Sequence, residues 1–313
     1  MHGVLDKMAN NEKQKVKTLD DMVEYYYRSP QFKSLRGRTQ IDYEYCLNKA
    51  TRTKVSNTKT LGDIKLDRLG KADCKFAYQD WLTKGVRTAN ITATTLSVVL
   101  NMAEQMDFLL VNPMKAVKRM TQKPRQVMWT PDQVRTFLDM AYSEFKWRSI
   151  GLIVHMAYEF AQRVGDMRLL EWKNINFDAR RLDLTQSKKR AEVHLPIEED
   201  LYKMLQQQHE DFGFQEYVAP HVRPINGAYR AYTNIEVSPI VNEIKSVCGL
   251  PDELQAMDMR RTAITEMVEA GVDSTQIMAV SGHTNPNSMK PYLKHTFTSA
   301  NNALSRRGEY KHA

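Results

Sequence analysis

The stretch INFDARRLDLTQSKKRAEVHLPI, residues 175–197, contains three short runs in which apolar and polar residues alternate: INF, RLDLT and AEVHLPI. Alternation with a period of two sends every second side chain to one face, the mark of half-buried strands. Lys188, Lys189 and Arg190 fall between the last two runs, where a polar turn closes a hairpin, so a small antiparallel sheet is expected. On both sides the apolar spacing changes to three and four. Upstream, Thr130-Pro131-Asp132-Gln133 supplies a capping hydroxyl, a first-turn proline and the glutamine of a capping box, and Val134, Phe137, Leu138 and Ala141 follow as a buried stripe. A long apolar helix is expected over 148–161, and helices resume from about 198. The fold class is therefore mainly α with a small antiparallel β-sheet (α+β).

Further upstream the pattern is wholly helical. Thr18 caps a first helix near 18–28 with Leu19, Met22, Val23 and Tyr26 inward. A loop with Gly37 leads to a second helix carrying Ile41, Tyr45 and Leu47, its entrance lined by Lys33, Arg36 and Arg38. A third helix is expected around 70–84 and a fourth around 90–110, closing before the Asn112-Pro113 breaker. Residues 18–115 thus form a helical domain behind a flexible basic tail, 1–17. KAVKRMTQKPRQVMW, 115–129, is basic, holds Pro124 and lacks a strong period, so 116–129 is read as a linker. A second domain follows over 130–296, with a C-terminal tail over 297–313.

The chain has 313 residues, more than one compact domain commonly holds, and 45 Lys+Arg against 37 Asp+Glu give a formal charge of +8. That balance favours a polyanionic partner, nucleic acid or an anionic membrane surface. No apolar run approaches the ~18–20 residues that span a bilayer, and MHGVLDKMANNEKQKVK lacks the apolar core of a leader, so a cytoplasmic protein is expected. Cys46, Cys74 and Cys248 are odd in number and never paired as C-x-x-C, which suggests neither a disulfide framework nor a zinc site. With no paired His/Glu metal motif, no P-loop and no G-x-S-x-G, no metal and no cofactor are expected.

Five features of the second half carry the chemistry. In FAQRVGDMRLLEW, Arg163 follows an apolar helix and precedes Gly165-Asp166, a break at which a guanidinium can be held rigidly toward a phosphate. Lys188 sits at the expected hairpin tip. MDMRRTAIT places Arg260 at a helix entrance, SGHTNP places His283 at a helix end, and SMKPYLKH places Tyr292 nine residues beyond that histidine. Singly, each has an ordinary structural explanation; their order and spacing together do not.

That combination resembles the tyrosine recombinase, or phage integrase, family. Ala161-Gln162-Arg163 with Asp166 matches the family's T-G-x-R-x-x-E-like segment, and QSKKRAEVHLPI matches its hairpin lysine run, which puts the lysine at Lys188. Met257-Asp258-Met259-Arg260-Arg261-Thr262 is similar to H-x-L-R-R-T, and Ser281-Gly282-His283 to L-G-H. The likeness continues into the first half through SPQFKSLRGRTQIDYEY and VNP, so it covers nearly the entire chain. The resemblance implies a helical core-binding domain joined to a catalytic domain, the two closing around double-stranded DNA as a C-shaped clamp. It further implies a covalent 3′-phosphotyrosine at Tyr292, a phosphate clamped by Arg163 and Arg260, Lys188 as general acid and His283 as a phosphate or tyrosine partner. Lys33, Arg36, Arg38, Lys118, Arg119, Lys123 and Arg125 are candidate DNA contacts. A tail over Phe297, Ala300 and Leu304 that packs on a neighbouring subunit, a homo-tetramer on two DNA sites and accessory DNA-bending proteins belong to the same expectation, as does integration or excision of a phage or mobile element.

Three departures stand out. Met257 occupies the family's usual histidine position, and a thioether neither gives nor takes the proton that imidazole handles. The residues before Arg163 lack the threonine-glycine pair, a change expected to affect only local packing. Pro291 precedes Tyr292, which is acceptable if Asn287 or Ser288 caps a short helix carrying the tyrosine. A chromosome-dimer resolvase or a DNA invertase shares the same active site, and a type IB topoisomerase shares the nucleophile but suits neither the chain length nor the first domain. A separate arm-binding domain before residue 18 is not expected. Met257 also admits a non-catalytic DNA-binding regulator of the same fold.

Overall fold

The computed structural model describes residues 16–188, 190–292 and 297–312. The chain divides into two compact units, 1–124 and 125–313.

The first unit is helical. Helices α1 (Leu19–Arg28), α2 (Pro30–Lys33), α3 (Gly37–Thr51), α4 (Lys71–Leu82) and α5 (Val86–Gln105) surround a core that includes Leu19, Met22, Tyr26, Leu47, Trp81 and Leu96. Thr18 opens α1 through a reciprocal capping box with Asp21. One sequence expectation changes here, the extent of the fourth helix. In α3 the inward face is Cys46, Leu47, Ala50 and Thr51, while Ile41 and Tyr45 lie on an exposed face. Helix α5 begins at Val86 and ends at Gln105, and Asn112 instead caps the short 3-10 turn Pro113–Ala116 through its side-chain oxygen. Arg119 returns to α5, donating to the Thr94 hydroxyl at 2.8 Å.

In the second unit Thr130 and Gln133 form the expected capping box at the start of α6 (Pro131–Ser143). Helix α7 (Phe145–Glu159) is buried along nearly its full length, including Ile150, Leu152, Ile153, Val154, Met156 and Ala157, so it is the helix on which the others pack. Gly151 permits this: a Cβ there would lie 2.8 Å from the Ala141 Cβ on α6. After the single turn α8 (Val164–Met167) come β1 (Ile175–Asn176), β2 (Arg181–Thr185) and β3 (Glu192–Pro196), antiparallel in that order. Strand β3 alternates buried Val193 and Leu195 with exposed neighbours, and Thr185 pairs with Glu192 at the hairpin end. Helices α9 (Glu199–Phe212), α10 (Asn234–Val247), α11 (Met259–Glu269), α12 (Ser274–Ser281) and α13 (Phe297–His312) complete the unit. Among the described residues no helix is long and apolar enough to cross a membrane.

Residues 125–129 belong to this second unit rather than spanning free between the two. Trp129 is in its core, donating its indole N–H to the Gln255 carbonyl. Arg125 forks onto the carboxylate of Asp258, with Nε–Oδ1 and Nη2–Oδ2 both 2.8 Å.

Candidate active site

A cleft of about 710 Å³ in the second unit is lined by Arg163, Met257, Arg260, His283 and Tyr292, together with one face of α10. Five sequence-selected side chains thus reach one cavity from four different segments. Lys188 stands in the exposed turn after β2 and is not among the lining residues.

Arg163 is the residue that enters α8. It follows a tight turn in which Ala161 is forced to φ +49°. That left-handed conformation costs an alanine roughly 1 kcal/mol or more relative to glycine. The missing glycine before Arg163 is therefore a matter of backbone strain as well as packing, contrary to the sequence expectation. The turn aims the Ala161 carbonyl at Arg260, whose Nη1 donates to it at 3.1 Å. Arg163 Nη1 donates to Gln186 Oε1 at 3.2 Å and lies 3.7 Å from Asp166 Oδ2. Asp166 is buried and accepts through Oδ1 from the Ser187 amide at 3.2 Å and from the Ser187 hydroxyl. The carboxylate beside the first arginine therefore also fastens the base of the hairpin that carries Lys188.

Arg260 is 8% exposed, low enough that its charge is costly unless a ligand shares it. Burial, then the neighbouring Arg163 guanidinium, pull it down to about 10, with the Tyr292 phenol acting in the opposite direction. Its Nη2 lies 3.3 Å from His283 Nε2. His283 Nδ1 lies 2.8 Å from the Ser281 hydroxyl, which itself donates to the Ile277 carbonyl at 2.6 Å. With its one proton committed to Ile277, the Ser281 hydroxyl accepts from Nδ1–H, and Nε2 is left as the acceptor for Arg260. Gly282 ends α12 at φ +69°, and a Cβ there would sit 2.5 Å from Gln186 Nε2, so both the backbone and the space require glycine.

Tyr292 differs from expectation in its setting. Asn285, not Asn287 or Ser288, caps the 3-10 turn Pro286–Met289, and Tyr292 follows in a turn rather than on a helix, its amide donating to the Met289 carbonyl at 2.9 Å. Proline at 291 ends the preceding turn because it cannot extend a helix that started earlier. The half-exposed tyrosine ring has its centroid 5.9 Å from the His283 ring, and the Arg261 guanidinium sits 5.4 Å from it. Met257 is 65% exposed on the cleft rim.

The expected DNA contacts are scattered. Lys33, Arg36 and Arg38 are exposed around the start of α3, where Arg38 also pairs with Asp42 at 3.1 Å. Lys118 and Lys123 are exposed in irregular chain, whereas Arg119 and Arg125 have the internal partners described above. The side chain of Phe297 lies outside the described residues, and Leu304 is exposed on α13. Sequence reading missed Gln162 and Gln186, both with no exposed surface and both in contact with an arginine of the cleft. Uncharged amides advertise nothing in a sequence; only their burial marks them.

A helical unit followed by a mainly helical unit with one three-stranded antiparallel sheet, and two arginines, a histidine and a tyrosine around one cleft, define the tyrosine recombinase architecture. The chain belongs to the phage integrase family, whose family model matches residues 128–299. No curated protein sequence matches it significantly. Among solved structures it is similar to a lambda integrase dimer bound to a COC' core site, with a TM-score of 0.74 at 18% identity over 93% of this chain and 80% of that one. The Tn1549 transposon integrase in complex with circular intermediate DNA gives 0.72 at 18% identity over 92% and 99%. A lambda integrase tetramer bound to a Holliday junction gives 0.70 at 18% over 86% and 78%. At such identities these likenesses establish the fold.

Proposed function

We propose that the chain is a site-specific DNA recombinase that cleaves and rejoins double-stranded DNA through a 3′-phosphotyrosine on Tyr292, acting as a homo-tetramer to integrate or excise a phage or mobile element. The observation that carries this reading is the convergence of Arg163, Arg260, His283 and Tyr292 on one cleft. In the reaction the Tyr292 oxygen attacks the phosphorus and the bond to the 5′ oxygen breaks, with Lys188 supplying the leaving group's proton after its hairpin has moved over the DNA. Arg163 and Arg260 bear the charge that develops on the non-bridging oxygens, the work that fixed donors do in a water-poor site. The phosphodiester energy is kept in the tyrosyl ester, and a second 5′ hydroxyl reverses the step. His283 is the acceptor for Arg260 in the free protein and turns to the phosphate when DNA arrives. Lys33, Arg36, Arg38, Lys118 and Lys123 hold the DNA backbone, which makes binding strongly salt-dependent.

The test is incubation of the full chain with nicked suicide DNA carrying its attachment region. A denaturation-resistant protein–DNA adduct that is lost in Tyr292→Phe is expected. Specific, salt-sensitive binding without any adduct would refute the catalytic reading. It would favour a DNA-binding regulator, the alternative that an exposed Met257 at the family's histidine position supports.

A further inference from the structure

Two glutamines are buried in full at the point where the hairpin, the α12 terminus and both arginines meet. Gln162 ends the turn before Arg163, and Gln186 directly follows β2, two residues before Lys188. Gln186 Oε1 accepts from Arg163 Nη1 at 3.2 Å, while its Nε2 donates to Gln162 Oε1 at 2.6 Å and to the Ser281 carbonyl at 2.8 Å. Gln162 Oε1 also faces Arg260 Nη1 at 3.4 Å, and its Nε2 donates to the Phe160 carbonyl at 2.9 Å and the Val280 carbonyl at 2.8 Å. Every amide hydrogen of the pair therefore has an acceptor, and each amide oxygen faces a guanidinium. Reversing either amide would set its NH2 against an arginine donor, so one arrangement alone satisfies the network.

We propose that the Gln162–Gln186 amide pair is a positioning element that fixes Arg163 and Arg260 relative to each other through neutral partners, so that both charges remain available to a single phosphate. The inference rests on the recombinase reading above and adds the device that sets its phosphate clamp. Neutrality is what separates an amide from a carboxylate here. A carboxylate in either place would form a buried ion pair with the arginine it touches and cancel part of the charge meant for the ligand. Of the nearby acids, Asp258, two residues before Arg260, is forked by Arg125, and Asp166 spends one oxygen on Ser187 and holds the other 3.7 Å from Arg163, beyond hydrogen-bond distance, so the direct side-chain hydrogen bond to Arg163 comes from the Gln186 amide. Gly282 keeps open the space that the Gln186 amide fills. Because the same amides grip the Val280 and Ser281 carbonyls just before His283, the pair ties the histidine's turn to both arginines.

The test uses the full chain with orthovanadate, an anion that mimics the transferring phosphoryl group, titrated by calorimetry alongside thermal melting. Gln186→Glu keeps the shape and adds charge; Gln186→Met keeps approximate volume and removes both the acceptor and the donors. Vanadate affinity is expected to fall about ten-fold or more in Gln186→Glu and further than in Gln186→Met, which gives up the same two donors and so controls for the lowered melting temperature, because only the glutamate places a negative charge against Arg163. Gln162→Met/Gln186→Met is expected to lose no more affinity than the worse single variant, since coupled residues act as a unit. In single-turnover cleavage the Gln186 variants should form adduct about 100-fold more slowly, as misplacement of catalytic groups by about 1 Å does, with DNA affinity within about three-fold. Equal vanadate affinities in the parent chain and Gln186→Glu, no vanadate binding by the parent, or losses that merely follow a lowered melting temperature would each overturn the proposal. A parent chain that shows the vanadate pattern but forms no DNA adduct would overturn the recombinase reading alone.

Discussion

Arg125 lies in the basic stretch that sequence reading assigned to DNA, yet its guanidinium is forked onto Asp258, whose side chain is 4% exposed. Truncation to alanine would leave that carboxylate buried beside the start of α11 with its Gln255 amide bond at 3.0 Å and no counter-charge. Breaking a buried pair from one side costs about 3–5 kcal/mol. The arginine side chain is 35% exposed, so solvent screens part of the attraction and about 2–3 kcal/mol is the appropriate figure. At roughly 2–4 °C per kcal/mol for a unit of this size, the melting transition of the second unit should fall by about 4–12 °C. Arg125→Ala/Asp258→Asn should recover most of the loss, because the amide needs no counter-ion. Melting of the full chain, with salt-dependent DNA binding measured in parallel, separates the two roles. A lost phosphate contact would lower the log–log salt slope by about 0.9 without moving the transition, and that result would refute the structural assignment.

Other parts of the second unit give sharp expectations. Lys245 is almost wholly buried, with Nζ donating to the Asp252 carbonyl at 2.9 Å and the Leu254 carbonyl at 2.6 Å; Lys245→Met should destabilise the unit by about 2–4 kcal/mol in urea unfolding and loosen the loop that leads to Met257. Ala161→Gly should stay within about 1 kcal/mol of the parent, since relief of the left-handed strain offsets a lost buried methyl, whereas Ala157→Gly inside α7 should cost about 2 kcal/mol in the same assay. Burial depresses His155 to about 4, while the unfolded chain takes up that proton near 6.5. The histidine therefore favours unfolding as pH falls from about 6.5 toward 4, by about 2 kcal/mol at pH 5, and His155→Gln should flatten that part of the stability profile. A difference profile independent of pH across this window would refute the neutral buried histidine.

The fold was legible where local chemistry sets it. The Thr130–Gln133 cap, the period-two alternation of Glu192–Pro196 and the buried stripe of α1 follow from side chains acting on their own backbone neighbours. Tertiary context decided the rest. Sequence alone did not say which face of α3 is buried, and the partners in α5 meet the face holding Cys46, Leu47 and Ala50 rather than Ile41 and Tyr45. The segment before Tyr292 held enough cap residues for a helix, yet Asn285 starts a turn too early for Pro291 to fall within it. At the cleft the charged and aromatic members were visible because their types and order are unusual. Gln162 and Gln186 were not, since a glutamine is surface-prone by habit and these two meet only after folding brings α7 and β2 together.

The Ser187–Asp166 attachment bears on how the active site assembles in time. Asp166 grips the hairpin one residue before Lys188 and faces Arg163 with its other oxygen. The tip beyond Ser187 shares this anchor with the Arg163 guanidinium. On the proposed mechanism, movement of the tip over a DNA groove would pull on Arg163, and capture of a phosphate by Arg163 would pull on the tip, so that lysine and arginine would be coupled coordinates of one motion.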